Sequence, residues 1–232
     1  MSRRRGFRCQ VLLWVVILSV PSSSSAELVV MTDGQVLKVE SFERHEDRIS
    51  LGLADGGRLT LAMDRVARIL EDEIVDQPPA PERYAVGDLR LWFEDPQGVP
   101  DTPFGDLIYE TSRRHQVNPT VVAAMVRAES AFDPWAVSPK GAMGLLQLMP
   151  ATAKRFGLTD RQFFEPAENL DAGVRYLRWL GERFDGNLAL VLAGYNAGEA
   201  MVQRYEGVPP FRETDKYIQR VLEFADQVAE GR

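Results

Sequence analysis

The strongest constraint on the fold is a change of hydrophobic period part-way along the 232-residue chain. In residues 27–75 apolar residues alternate, as at Ile49, Leu51 and Leu53, which is typical of strands with one buried face. From Phe104 onwards they recur at helical spacing, and no comparable alternation follows. We therefore predict a mainly α protein, in which a small antiparallel β domain, with an SH3-like meander as one option, precedes an all-α domain over about 104–230.

Turn and linker signals place the boundaries between these regions. Glycine-containing turns, Asp33-Gly34 among them, separate the alternating runs at points where a hairpin needs positive φ. Residues 76–103 hold six of the chain's fourteen prolines, which favours a linker because proline lacks a backbone donor. Within this linker, Leu89–Phe93 is expected to add a short strand or to dock onto a neighbour.

Residues 1–26 have the features of a secretory signal. Four arginines precede an apolar run from Val11 to Val20, and small residues lead to Ala26, so we predict cleavage before Glu27. The alternative is an uncleaved membrane anchor. The chain's one cysteine, Cys9, precedes the apolar run and is not placed for lipid attachment. Export without a thiol suits a bacterial envelope.

The charge and the scarcity of certain residue types exclude several functions. The net charge of −7 becomes −11 once the signal's four arginines are removed, and most of the acidic excess lies in residues 27–103. This argues against a nucleic-acid surface, which needs clustered Lys and Arg. One cysteine and two histidines, His45 and His115, do not provide a cysteine-rich or multi-histidine metal site, and no cofactor is expected.

Glu129 is the first candidate for chemistry. It follows the apolar positions of a predicted helix that starts near Pro119, so it lies at the end opposite the favourable N-terminal dipole. Partial burial and that position both raise the pKa of a carboxyl group, which lets it act as a general acid near neutral pH. The alternative is a surface glutamate at a fraying helix end.

The segment that follows Glu129 has the residues of a ligand-binding loop. Gly141 and Gly144 permit a tight backbone and close approach of a ligand. Gln147 can both donate and accept hydrogen bonds, and Met149 is a flexible apolar side chain that could support a sugar ring. The alternative for all four is a helix-connecting turn and ordinary packing.

Four ordered blocks resemble one known family, the soluble lytic transglycosylase (SLT-type) domains, over about 104–228. They are Glu129-Ser130 with Ser138 and Gly141-Ala142-x-Gly144-Leu145-x-Gln147-x-Met149-Pro150; Asn169-Leu170-x-Ala172-Gly173-x-x-Tyr176-Leu177; Tyr195-Asn196-Ala197-Gly198 with Val202 and Tyr205; and Glu213-Thr214-x-x-Tyr217-Ile218-x-x-Val221. Residues 27–103 carry no part of the resemblance.

The resemblance implies a lysozyme-like α fold and a peptidoglycan lytic transglycosylase, a lyase. Such domains cleave the β-1,4 bond between N-acetylmuramic acid and N-acetylglucosamine. They form a 1,6-anhydro end with a single carboxyl, here Glu129, as acid and then base. The partner implied is a peptidoglycan glycan strand, and we expect a monomer in the periplasm or envelope of a Gram-negative bacterium.

The resemblance also implies roles for other residues. Ser138 and Tyr195 match residues that hydrogen-bond near the acid and the reacting sugar, whereas Gln147, Met149 and Asn196 match positions that line the cleft. Glu213 matches an acidic groove residue that binds substrate. Tyr217 is expected to pack in the core, with groove contact as the alternative. Sugar stacking is the less favoured role for Trp92, Trp135 and Trp179, for which burial in the core or at a domain seam is the main expectation.

A second hypothesis belongs to another class of function. The chain could be a wall-docking or assembly module, in which residues 27–75 bind a protein of the envelope and the SLT unit acts as a locator. The small β domain and the proline-rich linker favour it, and the complete set of polar residues in the four blocks favours the enzyme.

Overall fold

The computed structural model describes residues 27–71, Tyr84, and residues 87–94, 98–159 and 161–230. The predicted signal and most of the predicted linker lie outside these residues. The described strands are β1 (Glu27–Met31), β2 (Val36–Val39), β3 (Ser41–Arg44), β4 (Arg48–Gly52), β5 (Arg58–Ala62) and β6 (Val66–Glu71). The described helices are α1 (Gly105–His115), α2 (Pro119–Ser130), α3 (Pro150–Arg155), α4 (Pro166–Arg183), α5 (Leu188–Ala197), α6 (Glu199–Arg204) and α7 (Arg212–Ala229). The predicted fold class, mainly α after a small antiparallel β region, is confirmed.

The strands form two three-stranded antiparallel sheets, in the orders β2-β1-β6 and β3-β4-β5. We call residues 27–71 the N-terminal module. Gly34, with φ of 84°, makes the predicted turn between β1 and β2. Ile49 and Leu51 are fully buried, as their alternation predicts. The core of the module includes two residues of the helical region, Ala142 and Met149. The helical region therefore completes the hydrophobic core of the module.

Helix α2 is the centre of the helical region. Its residues from Val121 to Val126 are fully buried, so this helix is apolar on every side rather than amphipathic. Pro119 occupies its first turn, and the Asn118 side chain caps it by accepting from the Thr120 amide at 2.9 Å. The buried run ends at Val126, and the last turn of α2, residues 127–130, is partly buried.

The segment around Leu91 docks onto the turn between α1 and α2, one of the two outcomes expected for it. The Leu91 carbonyl accepts from the Asn118 amide at 2.7 Å, and Trp92 forms a bridge with Val117. Leu91 is buried in the main helical core. Tyr84 is buried in the same core, and its hydroxyl donates to Asp215 at 3.0 Å. The helical core therefore includes residues from the predicted linker.

Within the part of the chain that the structure describes, no helix has both the length and the apolar character needed to cross a membrane.

Candidate active site

Glu129 lies in the last turn of α2, which ends because Ala131 and Phe132 adopt left-handed φ values of 49° and 64°. It lines a cavity of about 180 Å³ between the helical region and β6, which we call the Glu129 cavity. Six of the seven predicted site residues line this cavity: Glu129, Ser138, Gln147, Met149, Asn196 and Glu213. The blocks that are separate in sequence therefore meet around one carboxyl group.

Burial raises the pKa of the Glu129 carboxyl to about 6, although the guanidinium groups of Arg68 and Arg220 act to lower it. Tyr217 lies beside this carboxyl. Its hydroxyl is buried, and no described residue lies within hydrogen-bond geometry of it. With a pKa near 6, about a tenth of the Glu129 carboxyls hold a proton at pH 7. The group can therefore both donate and accept a proton near neutral pH.

The loop between α2 and α3 is held by its own backbone contacts. The Ser138 hydroxyl accepts from the Ala142 amide at 2.9 Å. Gln147, which has a left-handed φ of 43°, donates to the carbonyls of Ala136 and Gly144 at 3.0 and 2.9 Å. Both hydrogen bonds donated by the Gln147 amide nitrogen go to the loop backbone. The Gln147 amide oxygen has no hydrogen-bond partner among the described residues. Gln147 is thus a structural residue of the cavity wall as well as a candidate ligand contact.

Asn169, fully buried on α4, holds the same loop by hydrogen bonds to its backbone. It accepts from the Leu146 amide at 2.8 Å and donates to the carbonyls of Met143 and Phe163 at 3.1 and 2.9 Å. Gly144 lies against this amide, and a Cβ added there would lie 2.3 Å from Asn169 Nδ2. The glycine of the signature is therefore required by a close approach inside the protein.

Asn196 and Glu213 enter the cavity from α5 and α7. The Asn196 side-chain oxygen accepts from the Thr214 hydroxyl at 2.9 Å, which leaves its amide donors for a ligand. Glu213 accepts from the Lys140 ammonium at 2.7 Å and from the Glu71 amide at 3.1 Å. Because Glu213 is held as a paired carboxylate, it is suited to binding rather than to proton transfer.

Tyr195 is the predicted residue that does not line the Glu129 cavity. It is fully buried, and its hydroxyl donates to the Leu146 carbonyl at 2.8 Å. Its contact with a sugar stays a prediction. Tyr217, expected mainly in the core, is buried and also lines the cavity, so it combines the two roles that were considered.

The three tryptophans differ in exposure. Trp92 and Trp179 pack against the helical core, as expected. Trp135 is 68% exposed and stacks on Phe164 with ring centroids 5.5 Å apart, so burial was wrong for this residue.

Three cavity residues with charged side chains were missed from the sequence: Arg68 on β6, Lys140 in the loop and Arg220 on α7. Lys140 lies within the first block, and Arg220 one turn after Tyr217, so both could have been found by position. Arg68 lies outside every block, and no sequence signal marked it. Within the described residues, no group of three or more His, Cys, Asp or Glu side chains could hold a metal ion.

A family model described as "Transglycosylase SLT domain" matches residues 106–218, the segment that contains the first three blocks, with Glu129, and the fourth block as far as Ile218. Residues 106–218 match the transglycosylase SLT family. The match begins in α1 and ends part-way along α7, so it includes α2 and α5 and leaves out the N-terminal module and the cavity residue Arg220.

Similar proteins are named lytic murein transglycosylases. The chain is 31% identical over 156 residues to the soluble lytic murein transglycosylase of Salmonella typhimurium, a match that covers 58% of this chain and 24% of the relative. It is 42% identical over 106 residues to the membrane-bound lytic murein transglycosylase F of Desulfosudis oleivorans, covering 43% and 23%. The chain thus spans about a quarter of the length of these curated relatives.

Solved structures show the same fold. An inactive glutamate-to-glutamine mutant of the lytic transglycosylase Slt from Pseudomonas aeruginosa has a TM-score of 0.51 at 31% identity, covering 54% of this chain and 24% of that one. The 70 kDa soluble lytic transglycosylase of Escherichia coli also has a TM-score of 0.51, at 28% identity, covering 55% and 24%.

Proposed function

We propose that this protein is a peptidoglycan lytic transglycosylase that cleaves the β-1,4 bond between N-acetylmuramic acid and N-acetylglucosamine. The supporting observation is the partly buried carboxyl of Glu129, with a pKa raised to about 6, in a cavity lined by residues of three of the four SLT-like blocks. The inactive glutamine mutant of the Pseudomonas aeruginosa relative supports a glutamate as the essential group of such enzymes.

In the proposed reaction, protonated Glu129 gives its proton to the glycosidic oxygen as the bond from that oxygen to the anomeric carbon breaks. The muramic acid's 6-hydroxyl then attacks the anomeric carbon and forms the 1,6-anhydro ring. The hydroxyl's proton passes to the Glu129 carboxylate, which restores the acid, and no water is consumed. The tethered hydroxyl has a very high effective concentration.

This chemistry needs one carboxyl rather than the pair used by most glycoside hydrolases. Glu213 is the other carboxylate that lines the Glu129 cavity, and its contacts with Lys140 and Glu71 favour an anionic, hydrogen-bonding role. Asn196 and Ser138 line the cavity, and we expect them to hold the sugar, whose hydroxyls and acetamido groups match their donors and acceptors.

The test is digestion of purified peptidoglycan sacculi followed by mass spectrometry of the released fragments. We expect 1,6-anhydro ends, each lighter by one water than a hydrolysed end. Glu129→Gln should lower the rate at least about 100-fold, because it removes the proton donor. Glu223→Gln, on the exposed side of α7, is the control and should keep the wild-type rate. Reducing ends would instead show a hydrolase, and an active Glu129→Gln variant would remove Glu129 from its role.

Export to the periplasm or envelope of a Gram-negative bacterium, with glycan strands as the partner and a monomeric state, is part of the same proposal. Strand β1 begins at Glu27, directly after the predicted cleavage site, so cleavage there would leave the N-terminal module whole. Sequencing the amino terminus of the protein from a periplasmic fraction should give Glu27 as the first residue. A retained Met1 would support the uncleaved anchor.

A further inference from the structure

Strand β6 brings a charged residue from outside the SLT segment to the Glu129 cavity. Because strand side chains alternate, Ile69 faces the core of the N-terminal module while Leu70 packs against the helical region. Leu70 belongs to an apolar cluster with Met201 and Phe211. Arg68 is two residues before Leu70, on the same side of the strand, and this places it in the cavity with Glu129.

Arg68 is anchored on the end of α5. Its guanidinium donates a short hydrogen bond to the main-chain carbonyl of Tyr195 and lies over the Tyr195 ring, 5.7 Å from its centroid. That carbonyl is among the last four of α5, which carry the negative end of the helix dipole and need donors. Arg68 forms no ion pair with a described residue. Its charge is therefore held in place next to the cavity, and no carboxylate of the described residues lies within ion-pair distance of it.

Among the other described groups around Glu129, Arg220 is a second cation that acts on this carboxyl, whereas Lys140 is paired elsewhere. Lys140, from the loop, is paired with Glu213 of α7 at 2.7 Å. Arg220 and Tyr217, also on α7, face the cavity from the other side, and Tyr195 lies behind it on α5. Glu213 acts on Glu129 with the opposite sign to the two arginines, which leaves Arg68 and Arg220 as the cationic groups that stabilise a charged Glu129.

We propose that Arg68, supplied by the N-terminal module, is a positioning residue that stabilises the Glu129 carboxylate formed when the acid gives up its proton. This inference rests on the proposed function. An anchored guanidinium next to the developing carboxylate lowers the energy of the state in which the glycosidic oxygen is protonated. It also limits the strength of the carboxylate as the base of the second step, so one side chain sets the balance between the two steps.

The first test is a titration that does not depend on activity. In full-length protein with ¹³C-labelled glutamate, NMR follows the side-chain carboxyl carbon of Glu129, which the Glu129→Gln variant assigns. Arg68→Gln keeps a donor for the Tyr195 carbonyl and removes the charge. The titration midpoint should rise on the order of one pH unit in this variant and return towards wild type in Arg68→Lys. The control is Arg65→Met, an exposed arginine of the same module, which should not move the midpoint.

The second test is the pH dependence of turnover on sacculi. The acid step needs protonated Glu129, so the rate falls as the pH rises through its pKa. Arg68→Gln should lower the maximal rate and move this fall to higher pH. A lower rate with an unmoved pH profile and an unmoved titration midpoint would mean that Arg68 only holds the module in place, and would overturn the inference.

The two tests separate this inference from the proposed function. If the wild-type protein yields no anhydro ends, the proposed function fails, whatever the titration shows. If anhydro ends form but the Glu129 midpoint is the same in Arg68→Gln and wild type, the function stands and the role of Arg68 fails. Should Arg68→Gln fail to fold, Arg68→Met and Arg68→Lys give the same comparison of charge.

Discussion

At the residue scale, the role of a side chain in the site depends more on its position in a helix and its contacts with the loop than on its residue type. Glu129 is suited to act as an acid because it lies, partly buried, in the last turn of an apolar helix, where burial raises the pKa of its carboxyl group. Tyr195, by contrast, belongs to an equally specific block, yet its hydroxyl is committed to the Leu146 carbonyl. A motif therefore indicates that a residue belongs to the site, and the contacts decide whether it faces the ligand or supports the wall.

Gly144 allows a prediction at this scale. Gly144→Ala combines a φ of 78° with a Cβ only 2.3 Å from Asn169 Nδ2, so the loop must shift. We expect the loss of unfolding free energy, measured by chemical denaturation, to exceed the cost of the backbone conformation alone by at least about 1 kcal/mol, together with a loss of activity.

Gly56→Ala is the matched control, because Gly56 has a similar φ of 82° with nothing within 4 Å of the added Cβ. Gly56→Ala should lower the free energy of unfolding only by the about 1–2 kcal/mol that a residue with a Cβ costs at positive φ, and should keep its activity. Equal losses in the two variants would show that the contact with Asn169 does not restrict Gly144.

At the element scale, α1 and α4 are tied together through Asp171. Its Oδ1 lies 2.7 Å from His115 Nε2 and 3.1 Å from an Arg114 nitrogen. Burial by itself raises the pKa of Asp171, but the hydrogen bond and charge of His115, with Arg175, outweigh it and lower that pKa overall. The carboxylate form is therefore the one that stabilises the pair of helices.

The sign of the pH dependence follows from this lowered pKa. Because the pKa of Asp171 is lower in the folded than in the unfolded protein, its stabilisation is present above the unfolded value of about 3.9 and is lost as the pH falls through the folded value. Asp171→Asn should lose about 1–3 kcal/mol at pH 7, with a smaller loss at strongly acidic pH, by chemical denaturation.

Glu182→Gln, on the same helix, is the control for Asp171. Glu182 pairs with Arg178 at 2.9 Å, but both side chains are largely exposed, so the change should be less than about 0.5 kcal/mol. A loss for Asp171→Asn that is as small as that of Glu182→Gln would contradict the role of Asp171.

At the scale of the whole molecule, the N-terminal module and the helical region share their apolar surfaces. About fifty residues form a marginal core by themselves. The module completes that core with Ala142 and Met149, and places Leu70 against Met201 and Phe211. The hypothesis that residues 27–75 serve as a separate docking unit does not require these contacts. They instead favour one cooperative unit that contains the site.

Leu70→Ala tests this arrangement. Leu70 is 1% exposed, so the variant should lose about 2–5 kcal/mol, and the helices should unfold with the strands in one thermal transition seen by circular dichroism. Ser50→Ala, which removes only a partly exposed hydroxyl contact of 3.3 Å with Thr60, is the control and should leave the midpoint nearly unchanged. An unchanged helical transition in Leu70→Ala would show that the module folds independently.

The local features of this protein could be predicted from the sequence because they depend on backbone periods. Alternation at Ile49 and Leu51 predicted buried strand positions, and Pro119 with its apolar run predicted the helix that carries Glu129. The ordered SLT blocks predicted which residues meet around that carboxyl, since their spacing reflects one way of packing the helices.

Tertiary structure alone decided which residues complete the site. Arg68 reaches Glu129 only because β6 packs on the helical region, and the pairing of Lys140 with Glu213 joins residues from a loop and a distant helix. The docking of Leu91 beside α2 likewise depends on a surface formed after folding. Hydrophobic periodicity and secondary-structure propensity depend on residues close together in sequence. These contacts instead depend on how the surfaces of folded elements, distant in sequence, pack against each other.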